Sequence, residues 1–109
     1  MDNTIQDHIH YPKNYTRGTA IKIRNTIIED GEIVTMATEP YIASVKINIL
    51  SPSGYPVVYE ENMTFDDDEF YYVWQTERTS DRGEYVIEVM CVDANDITSI
   101  DNKSTLILE

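Results

Sequence analysis

Residues 84–92, Glu84-Tyr85-Val86-Ile87-Glu88-Val89-Met90-Cys91-Val92, decide the fold. Tyr85, Ile87, Val89 and Cys91 fall on one side of an extended chain, a period of two that belongs to a strand. The other side, Val86, Glu88, Met90 and Val92, is also largely apolar. A strand with two apolar sides sits centrally in its sheet, with the second face partly covered. Gly83 just before it marks a turn.

The same period recurs on both sides of this stretch. Over 20–27, Ile21, Ile23 and Ile27 point one way, and Lys22, Arg24 and Thr26 the other. Over 41–50, Val45, Ile47 and Ile49 alternate with Ser44, Lys46 and Asn48. Ser51-Pro52-Ser53-Gly54 then supplies a turn, with Pro and Gly where turn geometry favours them. Residues 56–59 return as the hairpin partner, and residues 60–65 extend or end it. Residues 70–76 are aromatic and β-branched, hence strand. A short strand is expected over 33–36 and a closing one over 104–108. No stretch reads as a helix of ten residues or more. About seven short strands with a turn signal roughly every ten residues indicate two packed sheets or a barrel. Residues 1–16 lack periodicity and carry Pro12, so they read as an extended N-terminal arm before a domain over 17–109.

Composition sets the outer limits. The chain has 109 residues, 41% of them hydrophobic, enough for one core and too apolar for a disordered chain. Cys91 is the single cysteine, so no internal disulfide forms, which suits a reducing compartment. The start, Met1-Asp2-Asn3-Thr4-Ile5-Gln6-Asp7, has neither the basic residues nor the apolar run of a secretory signal. The expectation is a protein that stays in the cell where it is made. The formal net charge of -12 argues against nucleic acid and anionic membrane as partners. Lys13, Arg17, Lys22 and Arg24 concentrate positive charge in the first quarter of an otherwise acidic chain. That asymmetry can steer unlike faces of neighbouring molecules together. The plainer reading is local scatter on an acidic surface.

Three pieces carry a family likeness: residues 47–54 (INILSPSG), 72–76 (YVWQT) and 82–89 (RGEYVIEV). Their order resembles that of bacterial and viral immunoglobulin-like or fibronectin-like domains. The resemblance implies an all-β, immunoglobulin-like antiparallel β-sandwich. It also gives Tyr85 the place of a tyrosine corner, with its ring in the core and its hydroxyl on the preceding turn. Trp74 would anchor the core against it. The chain departs from antibody domains in lacking the paired cysteines and in having its Trp late. Residues 15–23 (YTRGTAIKI) are similar to the starts of short sandwich proteins of tailed phages and archaeal viruses, which sit on capsids, at head–tail joints or in tails. This resemblance implies a non-enzymatic structural protein of the virion, assembled in the host cytoplasm. Its partners would be other virion proteins or further copies of itself. The alternative is an adhesion or carbohydrate-binding domain of a larger secreted or cell-surface protein.

Chemistry-bearing residues are few. His8 and His10 would aim two imidazoles the same way on a strand, but even with Asp7 the set is thin for a metal. The arm reads better as a contact segment, with Ile9, His10 and Tyr11 lying on a neighbour. Tyr15, Arg17 and Tyr71 complete the candidate partner-binding set. Asp66, Asp67, Asp68 and Glu69 are a calcium candidate without EF-hand spacing, and a solvated loop is the default. Asp93, Asn95, Asp96 and Asp101 form a second oxygen-rich group, where such residues more often close turns. No nucleophile elbow or phosphate-binding glycine loop is present, and Cys91 reads as a small buried hydrophobe. At least one of Tyr55, Tyr59 and Tyr71 is expected on the surface, because a strand cannot turn every Tyr inward.

Overall fold

A computed structural model describes residues 14–29, 31–34, 44–66, 69–93, 95 and 97–109. The chain order is β1 (Asn14–Tyr15), β2 (Ala20–Asn25), β3 (Ile27–Glu29), β4 (Glu32–Val34), β5 (Ser44–Leu50), β6 (Pro56–Asn62), β7 (Thr64–Asp66), β8 (Glu69–Gln75), β9 (Gly83–Val92) and β10 (Thr98–Leu108). No helix occurs among the described residues.

The strands form a five-stranded sheet, β1-β10-β9-β5-β6, and a three-stranded sheet, β2-β8-β7, with β3 and β4 as a separate hairpin. In immunoglobulin domains strands C, F and G share one sheet, and B, E and D the other. Here β5, β9 and β10 stand as the first set, and β2, β8 and β7 as the second. The protein is an all-β, immunoglobulin-like sandwich.

Alternation explains the layering. Val45, Ile47 and Ile49 of β5, Tyr85, Ile87 and Val89 of β9, and Leu106 and Leu108 of β10 face Ile21 and Ile23 of β2 and Phe70 and Trp74 of β8 in one core. Each such side chain, fully buried, contributes about 1.5–3 kcal/mol. β9 is central, between β5 and β10, and Met90 and Val92 on its second side are also buried. Cys91 lies on the core side but is only half-buried, so it packs against the core's margin rather than within it.

The expected boundaries shift in four places. Asn14 and Tyr15 are not arm: they pair in parallel with Ile107 and Leu108, and Glu109 N–H donates to the Tyr15 carbonyl at 2.8 Å. The 20–27 strand breaks at Thr26, so Ile27 belongs to the β3–β4 hairpin. The strand expected over 33–36 is β4, ending at Val34, and it belongs to neither main sheet; residues 35 and 36 lie outside the described residues. Finally, β10 begins at Thr98 rather than 104. A bulge at Asp101 interrupts its alternation and hid that first half.

Two turns use glycine for its backbone. Gly54, at φ 89°, closes the Ser51–Gly54 turn, where Gly54 N–H donates to the Ser51 carbonyl at 2.8 Å. Gly83, at φ 127°, opens β9 against Pro52, and a Cβ there would lie 3.0 Å from the Pro52 ring. The β5–β6 turn and the corner before β9 are therefore packed on each other.

Candidate functional site

The loop over 76–82 is built by short-range hydrogen bonds. Ser80 N–H donates to the Glu77 carbonyl at 3.0 Å, and Glu77 N–H donates to Ser80 Oγ at 3.0 Å. Tyr85 Oη donates to the Asp81 carbonyl at 2.7 Å, four residues upstream, which is the tyrosine corner. Its ring is buried and lies 5.1 Å from that of Trp74, so both expected anchors are in place.

The segment over 15–19 clamps this loop from behind. Arg17 Nη1 donates to the Ser80 carbonyl at 3.3 Å. Buried Thr76 accepts from Gly18 N–H at 2.9 Å and donates to the Thr19 carbonyl at 2.7 Å. The loop is held on both sides, by Tyr85 and by Arg17 and Thr76.

Beside the loop lies an open cleft of about 320 Å³, lined by Trp74, Gln75, Glu77, Ser80, Asp81 and Tyr85 and, from β6, by Val57. Val57 gets there through an irregular edge. Ile49 pairs with Val58 but Leu50 with Pro56, so Val57 is an extra residue in β6. A second extra residue falls between Val58 and Glu61, where Glu60 takes φ 48° and its N–H donates to Asn48 Oδ1 at 2.6 Å. Bulges of this kind re-aim side chains at sheet edges.

β6 is the outer strand of the larger sheet, with no strand beyond it among the described residues. Tyr55 just before it is 68% exposed, and along it Val57 is 43% and Tyr59 64% exposed, so the edge presents apolar area to solvent. Glu60 and Glu61 are exposed beside them. Glu60 raises the Tyr59 hydroxyl above the usual tyrosine value, chiefly by its hydrogen bond and also by its charge.

The expected partner-binding residues fare differently. Ile9, His10 and Tyr11, with His8 and Asp7, lie outside the described residues. Tyr15 packs half-buried against the core, and burial raises its hydroxyl above the usual value. Arg17 is half-buried as the clamp, and its Nε has no hydrogen-bond partner. Tyr71 is half-buried on the outside of the smaller sheet, with Lys22 Nζ 4.4 Å above its ring. Each of these three has a contact within the fold and is half-buried. Among the described residues the exposed tyrosines are Tyr55 and Tyr59.

Of the calcium candidates, Asp66 pairs with Glu69 across the β7–β8 hairpin, and Glu69 accepts from Arg24 Nε at 3.0 Å. Asp67 and Asp68 lie outside the described residues. Among the described residues no three His, Cys, Asp or Glu converge on a metal position. In the second group, Asp93 Oδ1 accepts from Asn95 N–H at 2.8 Å and Ile97 N–H at 2.9 Å, which closes the β9–β10 turn. Asp101 accepts from buried Asn25 Nδ2 at 3.1 Å, joining the two sheets. Asp96 lies outside the described residues.

No family model matches the chain, and no curated protein matches it. Among solved structures, the crystal structure of CopC from Methylosinus trichosporium OB3b is similar. The two share 17% identity and a TM-score of 0.50, over 90% of this chain and 83% of that one. At that identity the likeness is one of fold, and it places this chain among β-sandwich proteins.

Proposed function

We propose that this protein is a non-enzymatic, protein-binding sandwich that takes an extended segment of a partner along the β6 edge. The observation that carries the reading is the free edge itself, flanked by exposed Tyr55, Val57 and Tyr59. Added strands bind through main-chain hydrogen bonds, while alternate side chains find pockets. The two bulges and Pro56 shorten the ladder that β6 can offer, so side-chain contacts must supply much of the affinity. Amide chemical-shift mapping with a partner segment tests this, with shifts centred on residues 55–62.

The setting we propose is a virus particle, where repetition multiplies weak contacts into firm ones. The likeness of residues 15–23 to short phage proteins supports it. Mass spectrometry of purified particles checks it, and consistent absence of this chain from them rules it out. The second reading, a carbohydrate-binding or adhesion domain, is favoured by the same exposed Tyr55 and Tyr59, since flat aromatic rings suit sugar faces as well as proteins. Glycan-array binding that is lost in Tyr55→Ala and Tyr59→Ala would favour it.

A further inference from the structure

We infer that the cleft beside β6 takes a single lysine or arginine side chain of the partner segment; this rests on the edge reading above. The cleft has two chemical parts. Val57, Trp74 and Tyr85 give it apolar and aromatic lining, while Glu77 and Asp81 line it as acidic residues beside Ser80. A long cationic side chain has the same two parts, an alkyl stem and a charged head. Trp74 in the lining is of the ring type that attracts cations best.

The balance of charge selects this occupant. Glu77 and Asp81 stand in no ion pair among the described residues. Arg78 and Arg82 belong to the same loop but do not line the cleft. Glu60 and Glu61 extend the negative strip along β6, and the chain as a whole carries -12. A second copy would bring the same acidic edge against it, and like charges opposed at an interface are costly. A basic segment meets no such penalty. The cleft is also preformed, since Tyr85, Arg17 and Thr76 hold its loop in place, and rigid sites lose less on binding.

Trp74 is the only tryptophan, so its emission reports on the cleft lining and the core beside it, and the β6 amide shifts tell the two apart. The experiment uses the full chain and short alternating Thr/Val peptides with Lys, norleucine or Glu at the centre. Trp74 fluorescence and β6 amide shifts are followed together. The expected result is a change in both with the Lys peptide. Binding should be about tenfold weaker with norleucine, and weaker still with Glu. Glu77→Gln combined with Asp81→Asn should erase the difference between Lys and norleucine. Both side chains are exposed, and the Asp81 carbonyl that Tyr85 uses is retained. If Lys and norleucine peptides shift β6 equally, the cleft inference is overturned and the edge reading survives. If no peptide shifts β6, both fall.

Discussion

Tyr85 shows how much one hydroxyl can hold. Its ring is core and its oxygen fixes the loop that forms the cleft. Tyr85→Phe keeps the ring and removes the bond. Unfolding free energy should fall by about 1 kcal/mol, the net worth of one hydrogen bond. Urea denaturation measures it, and amide exchange over 77–82 should speed up in the same variant. Gly83→Ala tests the neighbouring residue by a different mechanism. At φ 127° an L side chain is strained, and its Cβ would press on Pro52. The expected loss is about 1–3 kcal/mol, the usual range for such backbone strain. A loss within error of zero would mean that the corner and the Pro52 turn yield easily.

At the scale of elements, β1 is the informative strand. It has two residues, yet it ties residues 14–15 to the last strand, at Ile107 and Leu108. Arg17 N–H donates to the Glu109 carbonyl at 3.1 Å, and Tyr15 leans on the core. A chain starting at Arg17 should be about 2–3 kcal/mol less stable than one starting at Asn14, from the loss of the Glu109–Tyr15 and Thr19–Thr16 backbone hydrogen bonds and one half-buried Tyr. Thermal melts of the two truncations decide this, and equal melting temperatures would show β1 to be dispensable. The sequence could not reveal β1, because two residues carry no period and their partner lies at the other end of the chain. Strands β2, β5 and β9 were legible because alternation over six residues or more is itself the physical cause of a half-buried strand, and β8 because its residues are aromatic and β-branched. Trp74 and Tyr85 were legible for a similar reason, since large aromatics next to a turn have few places to go. The cleft was not. Val57 reaches it through a bulge, and a bulge depends on tertiary pairing rather than on local pattern. Glu77 and Asp81 look like ordinary turn residues until the Arg17 clamp and Tyr85 fix the loop.

For the whole molecule the governing quantity is charge. A net -12 on 109 residues opposes the compact state through self-repulsion, which salt screens. The melting temperature should therefore rise with sodium chloride up to about 1 M, where the screening length is down to about 3 Å. Alkaline pH works in the opposite direction, and the tyrosines set where. Burial is the first cause that raises the hydroxyls of Tyr15, Tyr72 and Tyr85 above their ordinary value of 10.0. The charge of Glu61 adds to it for Tyr72 and that of Asp81 for Tyr85. Tyr59 is raised by Glu60, in a position where solvent screens the effect. All four shifts share one sign. Above the ordinary value the unfolded chain gives up its phenolic protons while the folded chain still holds them. Stability then falls with rising pH, because the folded state binds more protons. This contribution is fully present below pH 10 and is lost as the pH climbs through the raised values. The expected melting temperature is flat from neutrality to about pH 9 and drops beyond about pH 10, where unperturbed tyrosines begin to ionise. Circular-dichroism melts alongside phenolate absorbance check it. Tyrosine ionisation and loss of structure should coincide for the buried groups. Full phenolate absorbance from a still-folded chain would show that its tyrosines titrate freely, and would overturn the assignment.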